Sequence, residues 1–153
     1  RSTLFPYTTL FRSPAGKNRR MPVIKQFGEP VMMRIEGKSV PGVILDLSAD
    51  GVSMITYARI PAGSEVCMTI DIADIKTKPM HGKVIWSMPK GDMWRMGIFI
   101  DKIDSLDAKR INRMAIDFND CENKIFLGVP DVCFEKCSYC HLCEKPQKIK
   151  ICL

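Results

Sequence analysis

No stretch of about 18 apolar residues occurs anywhere in the 153-residue chain, so the sequence provides no membrane-spanning helix. Histidine is scarce. His81 and His141 are the only two, and neither has an evident acid–base partner in the sequence. With no nucleophile motif either, enzymatic chemistry is not expected. No basic stretch followed by a short apolar one appears, so a secretion signal is not expected and the chain is read as cytoplasmic. Aromatic residues make up only 8%. Cysteine is the exception to this scarcity. There are seven, an odd number, and five lie after position 130. That clustering speaks against an extracellular disulfide framework and for reduced thiols, some of them on a metal.

The length suits one domain with one apolar core. The net charge of +6 calls for an anionic partner without identifying it. Part of that charge is suspect. Residues 1–13, RSTLFPYTTLFRS, nearly repeat themselves, with Thr3-Leu4-Phe5 returning as Thr9-Leu10-Phe11. The segment resembles a translated sequencing adapter and is expected not to be biological, in which case the native beginning of the chain is missing. Without Arg1 and Arg12 the balance falls from +6 to +4.

Past an N-terminal arm at 14–30 the pattern is β. VMMRIEG and VPGVILDLS read as a strand pair turning at Glu36-Gly37-Lys38, and GVSMIT follows Asp50-Gly51. In EVCMTIDI, residues Val66, Met68, Ile70 and Ile72 alternate with Cys67, Thr69 and Asp71, which marks one half-buried strand. MHGKVIWSM and WRMGIFID add two more, joined by Pro-Lys-Gly-Asp at 89–92. Short strands with no helix between them indicate an antiparallel barrel or sandwich. A helix is expected from Asp104 or Ser105 to about Asn119, because Ile111, Met114, Ala115 and Phe118 fall at i, i+3, i+4, i+7. It should cover an open side of the barrel. Its basic residues Lys109, Arg110 and Arg113 read as solvated surface, with nucleic acid the lesser reading. The barrel and its helix are placed at 31–120, and 121–153 is read as a cysteine-rich appendage.

One corner carries chemistry. VILDLSADGVSM sets Asp46, Ser48 and Gly51 between two β-branched runs. Turn residues explain such a corner by default. Together, however, they match Asp/Asn-x-Ser-x-x-Gly, and the order of parts resembles the PilZ domain, the bacterial receptor module for the second messenger cyclic di-GMP. KVIWSMPKGDMWRMGIFI, with Trp86 and Gly97, is similar to that family's later strand pair. The resemblance covers roughly residues 18–119 and implies a six-stranded antiparallel β-barrel closed by a C-terminal α-helix. It also implies that Arg19, Arg20, Asp46, Ser48 and Gly51 bind the ligand. A carboxylate accepts from the N1–H and N2–H edge of guanine, and Arg is the bidentate partner of O6 and N7. Ser48 donates or accepts as needed, and Gly51 is expected to supply a positive φ and room for a base.

The family's other motif, Arg-x-x-x-Arg, is half present. Arg20 in Arg20-Met21-Pro22-Val23 matches its second arginine, but Gly16 stands where the first belongs. Moving the register sets Ala15 against Arg19. Lys17 or Arg19 supplies charge nearby, though Lys lacks the planar bidentate fork. Either nucleotide binding is weakened or lost, or residues 14–16 are corrupted at the adapter junction.

In the tail, Cys133, Cys137, Cys140 and Cys143 follow spacings of x3, x2 and x2. Such loops hold zinc or an iron–sulfur cluster, and the spacing resembles part of a bacterial ferredoxin-type run. Three functions are therefore carried forward. The first is a non-enzymatic cyclic di-GMP receptor relaying to an unidentified effector protein. The second is a degenerate adaptor that binds no nucleotide. The third is a metal or redox sensor acting through the cysteines.

Overall fold

The computed structural model describes residues 21–143, apart from 26, 73, 74, 131, 134 and 135. Six strands form one closed antiparallel barrel in the order β1-β2-β3-β8-β7-β4. They are β1 (Glu29–Ile35), β2 (Lys38–Leu47), β3 (Gly51–Thr56), β4 (Glu65–Met68), β7 (Met80–Lys90) and β8 (Met93–Lys102). Two short strands, β5 (Asp71–Ile72) and β6 (Ile75–Lys76), pair with each other outside the barrel. The β1–β4 pairing, with Arg34 opposite Cys67, closes the ring of the barrel.

The turns follow from residue chemistry. Glu36 and Gly37 both take positive φ, at 50° and 78°, as a two-residue hairpin requires. Gly91, at φ 61°, does the same between β7 and β8. Alternation along the strands fills the barrel: Met33 and Ile35, Val52 and Met54, Val66 and Met68, and Met96, Ile98 and Ile100 are all buried in one core.

Two sequence expectations need correction. EVCMTIDI is not one strand, because β4 ends at Met68. There the Ile70 amide turns to Thr77 Oγ1, at 2.9 Å, and Ile70 O accepts from Thr77 N, also at 2.9 Å. The alternation survives the break, since Val66, Met68 and Ile70 remain buried. The helix α1 (Ser105–Phe126) also runs beyond Asn119. Cys121 and Ile125 continue its apolar spacing, and Gly128 ends it at φ 71°. Gly128 N donates to Ile125 O and Val129 N to Lys124 O, the paired bonds of a Schellman cap.

At its start, Asp104 caps the Leu106 amide, and buried Asp107 accepts from Lys78 N at 2.9 Å. Ile111, Met114, Ala115 and Phe118 join the barrel core, so the helix covers one side of it.

The tail is not detached from this body. Cys137, Tyr139 and Cys140 are buried within the same core. Ser138 donates from its amide, at 2.8 Å, and from its hydroxyl to Asp117 on α1. The Tyr139 ring meets Phe118 edge-on, with centroids 5.1 Å apart. No helix among the described residues is long and apolar enough to cross a membrane.

Candidate functional site

The corner lies where β2 turns into β3. Leu47 pairs with Val52, and the link is drawn tight by Ser48 N donating to Gly51 O at 2.9 Å. The Ser48 hydroxyl donates both to Asp50 Oδ1 at 2.8 Å and to Gly51 O at 3.1 Å. Asp50 O in turn accepts from Ile100 N at 2.9 Å, which ties the turn to β8. Burial pushes the Asp50 carboxyl up from its ordinary value, while the Ser48 hydroxyl and the backbone amide at Asp50 pull it down. Gly51 is buried but does not occupy the left-handed region, contrary to the expectation from sequence. What it offers here is the lack of a side chain.

Two bulges decide which side chains meet at this corner. In β2 the register shifts between Ile44 and Asp46, and in β7 between Val84 and Trp86. Each inserted residue turns the next side chain from the core to the outer face. Asp46 therefore pairs with Ser53, Ser53 with Gly97, and Gly97 with Trp86, in one row across β2, β3, β8 and β7. Gly97 makes this row possible. A Cβ there would fall inside the indole of Trp86, against Nε1 and Cε2.

Although it faces outward, the row is buried. Asp46 has 0% exposure, Ser53 none and Trp86 little. Arg95, two residues before Gly97 on β8, lies over the row. Its Nη2 stands 3.6 Å from Asp46 Oδ2 and its Nε 3.4 Å from Ser53 Oγ. Sequence reasoning missed both Arg95 and Ser53. The available signal was a lone charged residue inside the apolar strand WRMGIFI.

The approach to β1 passes this corner. Ile24 pairs with Leu47 through bonds of 2.8 and 3.0 Å, and Phe27 N donates to Leu45 O at 2.7 Å. Asn119 Nδ2 of α1 donates to Val23 O at 3.0 Å, holding this segment on the barrel. Arg19 and Arg20 lie outside the described residues, as do the adapter-like segment 1–13 and Cys152.

A PilZ domain family model matches residues 17–117. The chain belongs to the PilZ domain family. Its Asp46, Ser48 and Gly51 fall inside the matched span, as do the bulged strands and most of α1. Among solved structures, this PilZ chain resembles the Bacillus subtilis inhibitor of motility MotI/DgrA. The TM-score is 0.53 and the identity 13%, over 65% of this chain and 50% of that one. It is also similar to the Borreliella burgdorferi PlzA protein in complex with c-di-GMP. There the TM-score is 0.48 and the identity 19%, over 63% of this chain and 41% of that one. The third is the PilZ domain of Escherichia coli YcgR with c-di-GMP, with a TM-score of 0.49 and 12% identity, over 73% of this chain and 98% of that one. The chain thus spans about half the length of MotI/DgrA. At such identities the likeness to MotI/DgrA is one of fold. No curated protein matches the chain in sequence.

Among the described residues, no group of three or more His, Cys, Asp or Glu side chains is placed to hold a metal ion. Cys137 and Cys140 are buried in the core and Cys133 and Cys143 half-buried.

Proposed function

We propose that this PilZ domain is a non-enzymatic cytoplasmic receptor for cyclic di-GMP. The observation that carries this is the buried Asp46 carboxylate, turned outward by a bulge beside Arg95 and next to the Ser48–Gly51 turn. A carboxylate held there accepts from the N1–H and N2–H edge of guanine, and a guanidinium beside it serves O6, N7 or phosphate. Ser48, already bonded within the turn, presents its oxygen to a further donor.

Arg19 and Arg20 complete the clamp in this reading. The antiparallel pairing of Ile24 with Leu47 supports it, since chain preceding Ile24 then leads toward Ser48 and Gly51. Ordering that arm around the doubly anionic ligand changes the surface offered to an effector protein.

One observation favours a second reading, a PilZ adaptor without nucleotide. Gly16 stands where the family's first arginine belongs. Calorimetric titration of cyclic di-GMP into the chain decides between the two. Saturable binding that is lost on joint Asp46→Ala and Ser48→Ala substitution supports the receptor. Absence of heat with correctly folded protein supports the adaptor, and binding unchanged by the double substitution overturns the assigned corner. The metal and redox reading has no comparable geometric support.

A further inference from the structure

A concavity of about 430 Å³ lies on the outer face of the barrel, away from the corner. That volume is within the range of roughly 300–1,000 Å³ usual for small-molecule sites. Strand register builds it. Arg34 of β1 pairs with Cys67 of β4, Cys67 with His81 of β7, and His81 with Lys102 of β8. These four residues form one row across four strands, and all of them line the pocket. At about 4.8 Å per strand the row is roughly 14 Å long. A bulge bends the sheet here, since Gly82 pairs with Ile100 and Asp101 is left inserted before Lys102. Gly82 permits the close approach of β8, because a Cβ on it would strike the Phe99 carbonyl oxygen.

The row carries a donor at every position and no carboxylate. Among the described residues, Arg34, His81 and Lys102 make no ion pair and no side-chain hydrogen bond. Two acids also line the pocket. Glu65 stands opposite Lys83, and the two offset each other. Asp101 alone stands against the row. Counting Arg34, Lys83 and Lys102 against Glu65 and Asp101, the pocket carries a net +1 with His81 neutral.

We propose that this pocket binds a small phosphate-bearing anion, at a site separate from the corner. Arg34 supplies a planar fork that meets phosphate oxygens bidentately, and Lys102 supplies a point charge at the far end of the row. His81 donates between them. Cations at both ends of one row suit an anion with two charged groups, such as a diphosphate, better than a single charge. A cationic ligand would find only Asp101 uncompensated. The corner lies elsewhere on the same strands. Trp86 and Gly97 stand five residues from His81 and Lys102 along β7 and β8, about 16 Å at 3.3 Å per residue. The proposal therefore does not depend on the nucleotide reading of the corner.

The test is calorimetric titration of inorganic pyrophosphate into the full chain at fixed ionic strength. Saturable binding is expected, weakened about tenfold or more by Arg34→Gln and by Lys102→Gln, the usual worth of a charged hydrogen bond. Asp101→Asn should strengthen it. Arg34→Lys keeps the charge and should still lose affinity, because the fork is gone. Lys109→Gln removes an equal charge from the exposed side of α1 and should change affinity less than about twofold. These positions are exposed, and thermal melts of each variant should show an intact fold. Absence of saturable heat, equal weakening by Lys109→Gln, or displacement of pyrophosphate by cyclic di-GMP would each overturn the proposal. So would Arg34-dependent binding to phosphatidic acid vesicles without binding of pyrophosphate, which assigns the pocket to a membrane surface.

Discussion

Arg95 Nη2 lies 3.6 Å from Asp46 Oδ2, reaching from β8 across β3 to the end of β2. The Asp46 side chain is fully buried and that of Arg95 is 12% exposed, so neither charge is well solvated. Removing one partner of such a pair costs about 3–5 kcal/mol, because the other is left in a poor environment. Arg95→Ala is therefore expected to lower unfolding free energy in urea by up to about that amount. Arg95→Lys should recover part of the stability but less of any cyclic di-GMP affinity, since the planar fork is gone.

Gly97 and Trp86 make a second prediction. A methyl at position 97 overlaps the indole, which has no flexible end to give way. Gly97→Ala should destabilise the fold by about 1–3 kcal/mol, the usual cost of overpacking. It should also shift the emission of Trp86, measured in a Trp94→Phe background. Unchanged stability together with unchanged emission would show that the indole does not lie on Gly97.

Asp50 gives a pH dependence whose sign can be worked out. Burial raises its folded pKa above the ordinary value of 3.8, so the folded state holds the proton more tightly than the unfolded chain. Its favourable contribution is complete below that ordinary value and is lost as pH rises through the raised one. Ionised Asp50 is thus a cost at neutral pH. Asp50→Asn should raise stability at pH 7, leave it little changed below pH ~3.8, and flatten the curve between. Thermal melts across pH 3–8 would check this, and a destabilised Asp50→Asn at pH 7 would contradict it.

The tail yields a fourth expectation. Tyr139 is buried against Phe118, and Ser138 is bonded to Asp117. Tyr139→Ala should cost about 3–5 kcal/mol, as for other large aromatic truncations, and Ser138→Ala about 0.5–1.5 kcal/mol. A detached appendage would tolerate both, so chemical denaturation separates the two pictures.

These particulars show what was legible in the sequence. Alternation and turn chemistry located the six barrel strands, because one face of each strand faces a single core. The Asp46-x-Ser48-x-x-Gly51 spacing located the corner, since those residues are local in sequence. Arg95 was not legible. It sits 49 positions from Asp46, and the row joining them exists only because Leu45 and Ile85 bulge and reverse the alternation. The tail was less legible for a related reason. Closely spaced cysteines are read as ligands, yet small sulfur-bearing residues also fill gaps between a helix and a barrel.

The Asn119 amide has a consequence beyond holding two elements together. One NH2 group serves Val23 O at 3.0 Å and Ala115 O at 2.8 Å, so both of its hydrogens are committed. Lifting the segment around Val23 strands a donor at a half-buried position, at a cost of about 1–3 kcal/mol. That segment therefore has a defined seat and a threshold for leaving it, so its positions are discrete. For the proposed receptor this means that the base of the arm is fixed during folding, before any ligand arrives at the corner. In the proposed receptor, Asn119→Ala is therefore expected to weaken cyclic di-GMP binding as well as the fold, which titration beside urea unfolding would check.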